Sequence, residues 1–183
     1  GYRPSRGAPV DEQGNPVYHS ASKTWESAKT DGQRWRWALA QVGENNPQRM
    51  DEASWTFAEF QWRQFGVQSL NQFMPMPRLD ADKKDESGTY ALHTLSDEET
   101  IAQLASGIRR FKVPAEFNFV ALYKRLSKSQ IYRVSARTRI AEIFQNRRQF
   151  DKAAKAWRDV LLVSPRHSTA LRQLAQIEKN WGT

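Results

Sequence analysis

Between Ala136 and Trp181 apolar residues recur at intervals of three and four on a polar, basic background, and this pattern constrains the fold more than any other stretch. Ile140, Ala141 and Phe144 share one helical face, and Ala153, Ala154, Trp157, Val160 and Leu161 share another. The polar run Gln145-Asn146-Arg147-Arg148-Gln149 between them is short. The two helices must therefore fold back as an antiparallel hairpin, with the small Ala141 and Ala153 permitting close approach. Pro165 cannot continue a helix and biases Ser164 away from helical angles, which ends the second one. Ala170, Leu171, Leu174, Ala175 and Ile177 then begin a third, whose apolar side needs either the preceding hairpin or a further neighbour to cover it.

The remainder of the chain reads as helices of the same kind. Residues 1–22 hold Pro4, Pro9, Pro16, Gly7 and Gly14 among polar residues, which predicts an extended arm pinned by Tyr2, Val10, Val17 and Tyr18. A helix is expected from Thr24 to Val42, with Trp25, Ala28, Gly32, Trp35, Leu39 and Val42 as its stripe and a capping box at Thr30 and Gln33 as an internal restart. A second, Asp51–Phe65, carries Trp55, Ala58, Trp62 and Phe65 with Phe57 and Phe60 beside them, an arc wide enough to need contact on two sides; Gly66 closes it. Residues 23–73 thus form an N-terminal hairpin, followed at 74–95 by an irregular charged connection that includes Met74-Pro75-Met76-Pro77.

Ser96-Asp97-Glu98-Glu99 has the form of a capping box and predicts a helix with Ile101, Leu104, Ala105 and Ile108 on one face. Pro114 suits the first turn of the next, which buries Phe117, Phe119, Val120, Leu122, Tyr123 and Leu126. The dipeptides Leu104-Ala105 and Ile140-Ala141 are 36 residues apart, and Ala141 to Ala175 is 34, the spacing of a divergent repeat over 96–183. The expected fold is all-α: stacked antiparallel helix hairpins in an αα superhelix, with an extended N-terminal arm.

Residues 134–181 resemble a tetratricopeptide repeat, through Ile140, Ala141, Phe144, the turn, Phe150, Ala153, Trp157, Val160 and Pro165 in that order, then the start of a second repeat at Ala175. The resemblance implies a concave groove lined by the first helix of each pair. Carried onto this chain, its partner-facing positions are Thr138, Glu142, Gln145 and Asn146 in one helix and Arg172, Gln176, Lys179 and Asn180 in the next. Thr138 and Glu142 stand where members that clamp a peptide carboxylate carry Lys and Asn, so that activity is not implied. Trp25–Ala28, Arg34–Leu39, Gln64–Gln68 and Glu99–Ala102 together resemble the N-terminal helical region of very large bacterial alpha-2-macroglobulin-like proteins. That resemblance implies a module of a longer, exported protein, hence an extracytoplasmic location.

Charge is distributed unevenly: net +2 over residues 1–50, −6 over 51–102 and +12 over 103–183. Either the acidic middle faces the basic end, or the basic end faces an acidic partner. The series Arg109-Arg110-Lys112, Lys124-Arg125-Lys128, Arg133, Arg137 and Arg147-Arg148, with the interleaved Arg34-Trp35-Arg36-Trp37, makes nucleic acid the second partner class after protein or peptide. Catalysis is not expected. His19, His93 and His167 are dispersed, no glycine-rich phosphate loop or nucleophile motif is present, and the chain lacks Cys, so no catalytic, metal or cofactor residues are assigned. No apolar run approaches membrane-spanning length and no signal-peptide pattern opens the chain.

Overall fold

The computed structural model describes residues 7–72 and 91–181. In chain order these form α1 (Asp31–Asn45), α2 (Met50–Phe65), β1 (Glu99–Leu104), β2 (Gly107–Lys112), α3 (Phe119–Leu126), α4 (Arg133–Asn146), α5 (Phe150–Val163) and α6 (Ser168–Trp181). Short 3₁₀ turns at Pro47–Arg49, Val67–Gln72, Leu92–Thr94 and Ala115–Phe117 link them. The architecture is mostly helical and includes a two-stranded antiparallel sheet, which corrects the all-α expectation.

That sheet occupies the stretch expected to be a helix and, with α3, a further hairpin. Glu99 pairs with Lys112 and Leu104 with Gly107 across a two-residue turn, so Leu104-Ala105 ends a strand and enters its turn rather than opening a repeat. The capping box is half formed: the Ser96 amide donates to the Glu99 carboxylate at 3.1 Å, but the chain turns there into a strand. The spacing of Ile101, Leu104, Ala105 and Ile108 fits a helix, yet tertiary partners select the strand. Thr100 Oγ1 donates to the Phe65 carbonyl at 2.6 Å, and the arm adds a short parallel bridge in which the Ala8 amide donates to Gln103 O and the Ala105 amide to Ala8 O. Gly107 sits at φ +121°, a conformation in which an L side chain is strained.

The helix starts and stops have local causes. α1 begins at the Thr30 cap, whose side chain accepts from the Gln33 amide, so the restart signal wins over the helix expected from Thr24, and Trp25 and Ala28 lie before it. α3 starts on the Asn118 cap, one 3₁₀ turn after Pro114, which precedes the 3₁₀ segment and not the helix itself. Gly66 closes α2 in extended geometry; a Cβ there would lie 2.2–2.5 Å from the Gln68 side chain and Trp62 carbonyl, so close approach selects glycine.

One apolar cluster runs from Ala8 of the arm through Phe57, Ala58 and Phe65 of α2 to Phe119, Val120 and Tyr123 of α3 and Ala136 and Ile143 of α4. The wide arc of α2 is covered on two sides as its sequence demands, by α1 and by α3. Tyr18 fastens the arm, stacking on Phe117 at 4.8 Å and meeting Phe65 at 5.2 Å; burial pushes its hydroxyl up to about 12. Tyr2 and the Met74–Pro77 run lie outside the described residues. A second cluster joins Ala141 and Phe144 of α4, Ala153, Trp157 and Val160 of α5, and Ala170 and Ile177 of α6.

The α4–α5 turn ties the C-terminal helices to the segment that enters the sheet, where Leu92, Leu95 and Ile101 pack with Val67 and Leu70 in a third cluster. Arg147 is 1% exposed and donates from Nη1 to Ser96 O at 3.0 Å and from Nη2 to Glu99 O at 2.9 Å. Gln149 Nε2 donates to Leu95 O and His93 O. The end of the short polar run between the two helices is therefore the clamp that holds the entry of the sheet against the helices.

Candidate interaction surface

α4 and α5 form the antiparallel hairpin that the periodicity requires. Arg137 near the start of α4 reaches the Asp159 carbonyl near the end of α5, while Lys152 near the start of α5 lies over the Phe144 ring near the end of α4. α6 returns against α5: Ala170 and Ile177 are buried, Leu174 packs beside them, and Arg158 pairs with Glu178. Leu171 remains 49% exposed.

Trp157, 1% exposed, anchors a chain of amides. Its Nε1 donates to Gln145 Oε1 at 2.8 Å, and Gln145 Nε2 donates to Gln173 Oε1 of α6 at 2.7 Å. Gln145, Glu142 and Asn146 line a cleft of about 290 Å³ together with Thr169 and Gln173 of α6. Its far wall comes from α2 and the following turn, through Trp62 and Gln68. Arg139 forms the floor: it binds Glu59 in a bidentate pair at 2.9 and 3.1 Å, donates to Glu142 at 2.6 Å and lies 3.8 Å over the Trp62 ring. Burial would lower the Arg139 pKa, but Glu59 and Glu142 outweigh it and hold it above the ordinary value. The Tyr123 hydroxyl donates to Glu59 at 2.6 Å, and burial followed by that carboxylate raises its pKa.

Of the eight positions expected to face a partner, the structure thus gathers Glu142, Gln145 and Asn146 in one cleft. Arg172, Gln176, Lys179 and Asn180 lie exposed along α6, next to it in helical register with Thr169 and Gln173. Thr138 is half-buried, and its buried hydroxyl finds no hydrogen-bond partner among the described residues. Sequence reasoning missed Trp62, Gln68, Arg139, Thr169 and Gln173. Thr169 and Gln173 precede Gln176 and Asn180 at helical spacing and were open to detection; Trp62, read as core, enters the cleft only through the packing of α2 on α4.

The uneven charge has a local explanation. Acidic residues of the middle segment meet basic residues of the C-terminal segment in Glu59–Arg139, Asp97–Lys124, Asp97–Lys152 and Glu99–Arg110 pairs. Hydrogen bonds from Arg110 and from the Ser96 amide draw the Glu99 pKa down to about 2. Of the aromatic–basic run, Trp35 packs on the main cluster, Arg36 lies 3.5 Å over the Phe57 ring and pairs with Glu116, and Trp37 meets the half-exposed Trp25 edge-on at 5.9 Å. Among the described residues no three His, Asp or Glu side chains converge as a metal site requires, and no helix is long and apolar enough to cross a membrane. No family model matches the chain, and no curated protein or solved structure is significantly similar to it.

Proposed function

We propose that this chain is a non-catalytic interaction module whose C-terminal helices form a tetratricopeptide-like unit that holds an extended peptide. The observation that carries this reading is the amide-rich strip formed by Gln145, Asn146 and Gln173 in the cleft and Gln176 and Asn180 beyond it. Gln145 is held by Trp157 and Gln173, while the amides of Asn146, Gln176 and Asn180 each offer both a donor and an acceptor, which matches the repeating N–H and C=O groups of an extended backbone. Arg172 and Lys179 flank the strip and favour a peptide with acidic residues or a free carboxylate. Nucleic acid is the second reading: Arg110, Lys124, Arg139 and Lys152 are drawn to Glu99, Asp97 and Glu59, which makes these four cations less available to a phosphate backbone. The longer alpha-2-macroglobulin-like parent belongs to the same proposal, resting on the resemblance alone.

The test is selection of displayed random peptides against the full chain, followed by affinity measurement on an Asn146→Ala, Gln176→Ala, Lys179→Glu triple variant. Loss of at least tenfold in affinity, with circular dichroism unchanged, supports the reading. Enriched peptides that bind the triple variant as well as the parent chain refute it, as does enrichment of no sequence at all.

A further inference from the structure

A separate face of α4, carrying Arg137, Ile140 and Phe144 at i, i+3 and i+7, borders a second cleft of about 370 Å³ between α3, α4 and α5. Four cations converge there: Lys124 from α3, Arg137 from α4, and Lys152 and Lys155 from α5. Two carboxylates accompany them. Asp97 takes Lys124 at 2.5 Å and lies 3.8 Å from Lys152; Asp159 gives Arg137 only its backbone carbonyl, at 3.4 Å. Among the described residues, Lys155 has no carboxylate within ion-pair distance, and Arg137 Nε is buried with no hydrogen-bond partner. The formal balance of the cleft is therefore +2. Among the described residues Arg137 has no carboxylate partner, and its one hydrogen bond is the long one to the Asp159 carbonyl, so guanidinium donors remain for an acceptor from outside.

Ile140, Phe144 and Ala156 supply an apolar wall beside these charges, and the space is several times larger than a lone oxyanion requires. An apolar wall also lowers the local dielectric, which strengthens the attraction between an excess of positive charge and a dianion.

We propose that this cleft binds a phosphomonoester: Arg137, Lys152 and Lys155 receive the phosphate, and the organic portion lies along Ile140 and Phe144. Asp97 holds Lys124 and steers Lys152 while leaving the excess charge facing the cleft. Arg137 suits the planar, bidentate recognition of phosphate oxygens, and the lysines act as point charges around it. The same chemistry is offered by a free small phosphomonoester and by a phosphorylated side chain on a protein. The site does not depend on the peptide-binding reading, since it uses none of the amide strip.

The experiment is titration of the full chain with phenyl phosphate, inorganic phosphate and a phosphotyrosine peptide at constant ionic strength, followed by amide chemical shifts and calorimetry. Saturable binding of phenyl phosphate with shifts at Arg137, Lys152 and Lys155 is expected. Lys155→Gln, which removes no hydrogen bond or ion pair found among the described residues, weakens binding by at least about threefold, and Asp159→Asn, which removes a like charge, tightens it. Tighter binding of the peptide than of phenyl phosphate assigns a protein source; equal binding assigns the free ester. Inorganic phosphate binding as well as phenyl phosphate overturns the role of the apolar wall and with it the proposal. So does a response to phenyl phosphate that is unsaturable or unchanged in both variants.

Discussion

Replacing Arg147 is the sharpest test of how the molecule is held together. Its guanidinium is almost wholly buried and donates to the carbonyls of Ser96 and Glu99, with the Phe119 ring 5.9 Å from its centre. Burial draws its pKa down to about 10 despite the pull of Asp97 and Glu99, so the charged form carries a net penalty on the order of 3 kcal/mol. Two charge-assisted hydrogen bonds at roughly 1.5–3 kcal/mol each match or exceed that cost. Truncation to Ala removes the desolvation cost together with both bonds, but leaves two part-buried carbonyls without these donors, at roughly 1 kcal/mol each, and a cavity where the stem lay. The expected loss is about 3 kcal/mol, which for a chain of this size lowers Tm by roughly 6–12 °C. Arg147→Met keeps the stem packed and buries no charge, so it costs less than Ala. Arg147→Lys keeps the charge buried but cannot reproduce the planar fork, so it costs about as much as Ala. Urea unfolding of the three variants gives the ranking. A change within about 0.5 kcal/mol for Arg147→Ala, the behaviour of an exposed turn residue, would refute the clamp.

Other perturbations probe the remaining parts. Trp157→Ala should destabilise by about 3–5 kcal/mol, because the ring fills the centre of the second cluster, whereas Trp157→Phe, which keeps the aromatic packing and loses the bond to Gln145, should cost about 1–2 kcal/mol by the same unfolding assay. Gly107→Ala meets no atom within 4 Å yet must adopt φ +121°, so a backbone cost of about 1–3 kcal/mol is expected; an unchanged urea midpoint would show that the turn relaxes. Glu99 binds its proton less readily folded than unfolded, so its stabilisation is complete above pH 4.5 and is lost as the pH falls toward about 2. Stability measured across that window should decline less steeply in Glu99→Gln than in the parent chain, and parallel curves would remove Glu99 from the acid response.

The C-terminal helices were legible because their apolar spacing, short turn and Pro165 are local signals that agree with one another, and their burial on Trp157 and Ile177 follows the same stripe. Half of the cleft was legible through the tetratricopeptide resemblance, whose partner-facing positions Glu142, Gln145 and Asn146 do line it. Its other half belongs to α2, more than seventy residues earlier, and no local pattern announces that Trp62 and Glu59 meet Arg139.

Local signals were enough to stop helices at Gly66 and Pro165, to offer Thr30 as a restart, and to mark which faces of α2, α4, α5 and α6 must be covered, because caps, breakers and the 3.6-residue period act over a few neighbouring residues. Tertiary structure alone decided the stretch from Glu99 to Lys112. Its residues satisfy both a helical and a strand pattern, and the choice rests on hydrogen bonds offered from elsewhere: by Phe65 to Thr100, by Ala8 to Ala105, and by Arg147 to the carbonyl of Glu99. Backbone groups in a buried segment must find partners, and here the partners come from distant parts of the chain that only the folded arrangement brings near.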